Sequence, residues 1–127
     1  MRLHFIEAER DRKSTPTSNW FDRSSHKFFC PSLALPYLAA VTPPDIECKI
    51  IDEKIESVDF NDLPDIAAIT FKTMSCKKAY EIADIFRKKG VKVILGGIHA
   101  SLLPEEAKSH ADSVVVGEGE DIWPSII

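Results

Sequence analysis

Two short apolar runs each end in glycine, and this doubled pattern limits the chain more than any other feature. Val91-Lys92-Val93-Ile94-Leu95 runs into Gly96-Gly97, and Ser113-Val114-Val115-Val116 runs into Gly117-Glu118-Gly119-Glu120. Between them, Pro104 opens a helical segment that reaches His110. Strand, glycine turn, helix, strand, glycine turn is a unit of a parallel α/β sheet. Ligands of such sheets sit beyond the carboxyl ends of the strands, and both glycine turns fall there. All five glycines stand at or after Gly90, so the tight loops belong to the C-terminal half.

Three further strands are expected, over Arg2 to Ile6, Ile46 to Ile51 and Asp65 to Phe71. Pro31 to Val41 reads as a helix capped by Ser32 and ended by Pro43-Pro44, with Pro36 near its start. It is apolar nearly all round, so burial is expected. The strongest helix begins at Ser75. Ala79, Ile82, Ala83 and Phe86 recur on one face, Arg87, Lys88 and Lys89 suit its C-terminal end, and Gly90 follows. Asp121 is expected to cap a last helical turn over Ile122 to Ile126. Asp52 to Pro64 is too short and too poorly periodic for the usual crossover helix. An extended crossing is expected instead, with Ile55, Val58, Phe60 and Leu63 pinned to the sheet. The order of elements predicts a three-layer, flavodoxin-like (Rossmann-like) α/β domain. Its five-stranded parallel sheet has the order 2-1-3-4-5, with its switch point between the first and third strands.

With 127 residues the chain makes one domain with a real core. A long loop over about residues 7–31 carries Trp20, Phe21, Phe28 and Phe29. These aromatics either anchor the loop on the domain or line a pocket or partner contact. The net charge of −4 leaves no basic footprint for nucleic acid. Leu33 to Val41 is too short for a membrane span, and the N-terminus lacks a signal-peptide core. A cytoplasmic location follows by default. Cys30, Cys48 and Cys76 are odd in number and widely spaced, which suggests neither a disulfide framework nor a metal knuckle.

Thr70, Thr73 and Ser75 place hydroxyls where a strand ends and a helix starts, a position suited to phosphate or amide groups. Plain capping by Ser75 explains part of the same pattern. Gly96-Gly97 either lets a ligand lie on the backbone or serves a tight turn. If the ligand is the reason, Gly97→Val abolishes binding and leaves melting nearly unchanged. The glycines do not form G-x-G-x-x-G. His99 either faces the crevice or, more ordinarily, is a hydrogen-bonded structural residue. Glu118, Glu120 and Asp121 cluster beside the crevice; helix-start and solvated-loop roles account for them as well as acid–base chemistry does.

Four segments, LALPYLAAVTPP, IIDE, DIAAITFKTMS and VKVILGGIHASLLPEEAKSHADSVVVGEGEDIWP, carry a resemblance. From about Pro31 onward the chain resembles the N-terminal domain of cobalamin-binding radical S-adenosylmethionine enzymes, of the magnesium-protoporphyrin IX monomethyl ester oxidative cyclase type. The resemblance implies a cobalamin site, with the Thr70–Ser75 loop (Thr70, Thr73, Ser75) and Gly96-Gly97 flanking the nucleotide tail. Gly117, Glu118 and Gly119 would lie beside it. The cobalt-ligating Asp-x-His-x-x-Gly loop is missing, and the residues around His26 do not fit it. No Cys-x-x-x-Cys-x-x-Cys loop is present, so the iron–sulfur cluster and S-adenosylmethionine would belong to a barrel domain C-terminal to this chain. On this resemblance the chain is an N-terminal fragment or a truncated relative, not catalytic alone; the rival readings are a degenerate domain of the same fold that binds no cofactor and only packs on a catalytic domain, and a flavodoxin-like domain with another ligand. Such a fragment is expected to expose a docking surface at Ile55, Val58, Phe60 and Leu63 together with Trp20 and Phe21, and to form homo-oligomers when isolated.

Overall fold

The computed structural model describes residues 1–9 and 32–127. Trp20, Phe21, His26, Phe28, Phe29 and Cys30 lie outside the described residues, and with them the expectations placed on most of the long loop. The five strands are β1 (Arg2–Glu7), β2 (Glu47–Asp52), β3 (Ile66–Thr70), β4 (Lys92–Gly96) and β5 (Ser113–Val114). They form one parallel sheet in the order β2-β1-β3-β4-β5. This is the predicted topology. It places the switch point between β1 and β3, where Glu7 pairs with Thr70.

Strand alternation divides the sheet into two faces. One face carries Ile6, Ile69, Val93 and Leu95, packed under α2 (Cys76–Lys88), α3 (Ile98–Leu102) and α4 (Pro104–Lys108). Ala79, Ile82, Ala83 and Phe86 of α2 are at most 1% exposed, as the periodicity predicts. Gly90 follows with φ +83°, a left-handed conformation that glycine adopts without strain. The other face carries Leu3, Phe5, Ala68 and Ile94 under α1 (Ala34–Val41) and α5 (Trp123–Ile126).

The crossing from β2 to β3 contains no helix or strand, as expected. Its turns are held from outside. Asp62 accepts hydrogen bonds from Arg2 (2.6 Å) and Lys49 (2.8 Å), and Lys89 donates to the Phe60 carbonyl (2.8 Å). The two cations hold the Asp62 carboxyl well below the usual carboxylate range. Of the four apolar residues expected to pin this segment, two do so. Val58 is buried, and Phe60 packs on Phe86 with ring centroids 5.4 Å apart. Ile55 and Leu63 are exposed.

Four local expectations differ from the structure. Ser32 does not cap α1: Leu33 occupies the cap position without a side-chain bond. In α1 only Leu35 is buried, while Tyr37 is more than half exposed. The helix lies against the sheet edge on one side, so its all-round apolarity does not translate into all-round burial. The segment before Pro104 forms α3, which the glycine turn had masked in the sequence. Asp121 does not cap α5. The Gly119 carbonyl accepts the N–H groups of Ile122 (3.2 Å) and Trp123 (2.9 Å), and Ile122 occupies the cap position without a side-chain bond. The anchor there is Trp123. It is 1% exposed, packs 5.4 Å from Phe5, and donates its indole N–H to Thr42 Oγ1 at 2.9 Å.

Candidate functional site

Where β1, β3 and β4 end, two in-register rows of side chains line a cleft. The inner row is Phe5, Ala68 and Ile94; the outer row is Glu7, Thr70 and Gly96. The smallest residue of the inner row is Ala68 on the central strand β3, and that of the outer row is Gly96 on its neighbour β4. This opens a slot over Ala68 and Gly96, between the α1–α5 layer and the sheet. The slot has a volume of about 560 Å³ and is walled by Leu35, Leu38, Val115 and Trp123. That volume falls within the range of about 300–1,000 Å³ usual for small-molecule sites.

Seven of the eight residues singled out in the sequence line this cleft: Thr70, Ser75, Gly96, Gly97, Gly117, Glu118 and Gly119. Ser75 is 4% exposed and precedes α2, but its side chain makes no cap hydrogen bond. The simple capping explanation therefore does not account for it. Thr73 is the exception. It does not line the cleft, and its Oγ1 lies 3.2 Å from Nδ1 of His99. Glu120 also lines the cleft; Asp121 does not.

His99 is 5% exposed and takes the structural alternative. Its Nε2 lies 3.1 Å from Glu106 Oε1, which also accepts the Tyr80 hydroxyl at 2.9 Å. A carboxylate only accepts, so Nε2 carries the proton here and a neutral ring accepts the Thr73 hydroxyl at Nδ1. The hydrogen bonds from His99 and Tyr80 hold the Glu106 carboxyl below its ordinary range, while burial and then Glu106 push the Tyr80 phenol up. This network ties α3 and α4 to α2 behind the cleft. Among the described residues, no histidine lines the cleft itself.

The two glycine turns are joined by a residue that the sequence did not single out. The Ser101 hydroxyl donates to the Gly97 carbonyl (2.9 Å) and accepts the Gly117 N–H (3.0 Å). Gly97 has φ +99°, and a Cβ there would lie 2.7 Å from Thr70 Oγ1 and 2.8 Å from the Phe71 carbonyl oxygen. The close approach that demands glycine at this position is therefore to the protein's own β3 end. This corrects the expectation that Gly97→Val spares the fold. Gly96 differs, since a Cβ there would meet only Val115, at 3.6 Å. The slot's floor and walls (Phe5, Leu35, Ala68, Ile94, Val115 and Trp123) were also missed. Strand parity was the available signal, because Phe5, Ala68 and Ile94 are in register once the pairing is known.

The sequence matches the B12 binding domain family over residues 23–127. The chain belongs to this family. It is 42% identical over 96 residues to a bacteriochlorophyllide d C-8(2)-methyltransferase of Chlorobaculum tepidum, covering 75% of this chain and 21% of that protein. It is 40% identical over 62 residues to the bacteriochlorophyllide d C-12(1)-methyltransferase of the same organism, covering 49% and 14%. An uncharacterized methyltransferase of Pyrococcus horikoshii is 36% identical over 110 residues, covering 76% of this chain and 24% of that protein. The chain thus spans about a fifth of the length of the first of these relatives. No solved structure matches.

The cleft fits one part of the cofactor that the family binds. Cobalamin carries a nucleotide tail made of a phosphate, a ribose and a flat benzimidazole base. A slot with a small-residue floor, apolar walls and hydroxyls at its rim suits a flat apolar base joined to a polar linker. An imidazole to ligate cobalt is not among the described cleft residues. No described helix is long and apolar enough to cross a membrane.

Proposed function

We propose that the chain is the cobalamin-binding domain of a radical S-adenosylmethionine protein, with the cofactor's nucleotide tail held in the cleft. The observation that carries this reading is the slot over Ala68 and Gly96, rimmed by Thr70 and Ser75, in a member of the B12 binding domain family. Thr70, Ser75, Gly96, Gly97, Gly117, Glu118 and Gly119 would hold the tail. Thr70 and Ser75 would bind its polar atoms, Phe5, Ile94 and Trp123 would exclude water from the base, and Ser101 would keep the two turns in register. Bound cobalamin supplies a cobalt centre able to carry a methyl group. The iron–sulfur cluster and S-adenosylmethionine belong, in this reading, to a barrel domain elsewhere in the parent protein.

The curated relatives are named as methyltransferases, two of them acting on bacteriochlorophyllide d. This supports methyl transfer to a tetrapyrrole as the parent's reaction over the oxidative cyclisation suggested by the sequence resemblance. To test the cofactor assignment, the purified chain is mixed with hydroxocobalamin and desalted. A coloured protein at about one cofactor per chain is expected. A colourless protein that is folded by circular dichroism would favour a degenerate domain that only packs on its catalytic partner.

A further inference from the structure

Glu7 and Lys54 close the β1 end of the cleft. Both line it, and their side chains are 10% and 13% exposed. Lys54 Nζ lies 3.0 Å from Glu7 Oε1. Glu7 is the last residue of β1, in register with Thr70 and hence in the same row as Gly96. The backbone of Lys54 is fixed as well, since its N–H donates to Asp52 Oδ1 at 2.9 Å. Burial alone would lower the Lys54 pKa, but the hydrogen bond and charge of Glu7, together with the charges of Asp52 and Glu9, raise it overall.

A nearly buried ion pair adds little net stability compared with apolar residues of the same size. The position of this pair suggests another use. An ammonium has three N–H donors, and among the described residues Glu7 takes one. The other cleft-lining lysine, Lys72, is exposed. Among the described residues, Lys54 is therefore the cation held in a set geometry at the slot, fixed to Glu7, whose strand neighbours that of Thr70. A phosphodiester linker is the anionic group of the ligand assigned to this cleft, and a pre-positioned ammonium is a strong donor to it.

Resting on that assignment, we propose that Lys54, held in place by Glu7, is the cleft's fixed donor to the phosphate of the nucleotide tail. It would thereby select complete cobalamin over corrinoids that lack the tail. The test measures dissociation constants of the chain for three probes. These are cobalamin, cobinamide phosphate, which lacks ribose and base, and cobinamide, which lacks the phosphate as well. Lys54→Met should weaken binding of cobalamin and of cobinamide phosphate by about ten- to a hundredfold, the range for a hydrogen bond to a charged group, and leave cobinamide unchanged. Glu7→Gln should give a smaller loss with the same pattern. Because Lys54→Met leaves Glu7 buried without its partner, the double variant Glu7→Gln with Lys54→Met guards against a folding defect and should show the same selectivity. A folded variant that loses nothing, or loses affinity equally for all three probes, overturns the proposal. Loss for cobalamin alone overturns it too, by assigning Lys54 to the ribose or base. Failure of the unsubstituted chain to bind any of the three removes the cofactor assignment and this proposal together, an outcome distinct from unselective variants of a binding protein.

Discussion

The two faces of the sheet begin alike and end differently. On the α2 face, apolar packing runs without a break to the carboxyl ends of the strands, where Phe71, Tyr80 and His99 fill the last layer. On the α1–α5 face, packing stops one row short. Phe5 and Trp123 mark its limit, and the space beyond is the cleft. The difference comes from a few side chains. Ala68 and Gly96 stand on the open face where the filled face has Ile69 and Leu95. Protein interiors leave few voids larger than a water molecule. Among the described residues, the slot on the α1–α5 face is therefore a departure from ordinary core packing, and it is the feature on which the proposed cofactor site rests.

The sharpest way to break this contrast is at Gly97, which lines the cleft beside Thr70 yet packs against the backbone of Phe71, whose side chain belongs to the filled face. Gly97→Val combines a φ that valine resists with a Cβ 2.7 Å from the Thr70 hydroxyl and 2.8 Å from the Phe71 carbonyl oxygen. A loss of at least about 3 kcal/mol is expected from strain and overpacking together. In a chain of this size that lowers the melting temperature by ~10 °C or more. Calorimetry showing an unchanged melting temperature would mean that the turn relaxes freely and that the glycine serves the ligand after all.

The opposite pattern is expected on the open face. Ala68 lines the cleft between Phe5 and Ile94. Ala68→Leu should place its added methyl groups in the slot, cutting hydroxocobalamin uptake at least ~tenfold while moving the melting temperature by only a few degrees. If uptake and melting fall together, Ala68 belongs to a closed core and the two faces are not different in kind.

This contrast also explains what was legible in the sequence. The filled face announces itself through period: Ala79, Ile82, Ala83 and Phe86 are spaced for one helix side, and all four are buried. The strand order followed from the alternation of elements. The glycine turns pointed to the carboxyl end of the sheet, and seven of the eight chosen residues line the cleft found there. The slot's floor and walls were not legible, because Ala68, Val115 and Trp123 become a surface only when register brings them together. Thr73 stands apart from the other seven for a related reason. The 3₁₀ turn over Thr73–Ser75 sends Ser75 into the cleft and Thr73 toward His99, and adjacent hydroxyls carry no sign of that divergence in the sequence. The burial assigned to α1 failed because apolarity reports what a helix can bury, whereas its place at the edge of the sheet decides what it does bury.

The smallest effect is expected from the one unpartnered buried side chain found in the filled face among the described residues. His4 shares its side of β1 with Ile6 and is 1% exposed, yet neither ring nitrogen has a hydrogen-bond partner. Asp62 Oδ2 lies 3.7 Å from Nε2, beyond hydrogen-bond distance, and that carboxylate is already engaged by Arg2 and Lys49. Burial lowers the His4 pKa; the charge of Asp62 opposes this, while Lys49 and Arg2 reinforce it. The unfolded chain therefore takes up this proton at a higher pH than the folded one. The associated stability is complete above the unfolded value of about 6.5 and is lost as pH falls through it toward the folded value. The Asp62, Glu106 and Asp112 carboxyls are held below their ordinary ranges, so their own contribution is lost at lower pH. His4→Phe keeps the ring and removes the titration. Melting curves from pH 7.5 down to pH 5 should fall less steeply for this variant than for the unsubstituted chain, by a few degrees at the acid end. Parallel curves would show that His4 gains a partner, such as an ordered water, and that the filled face is as fully satisfied in its polar groups as in its packing.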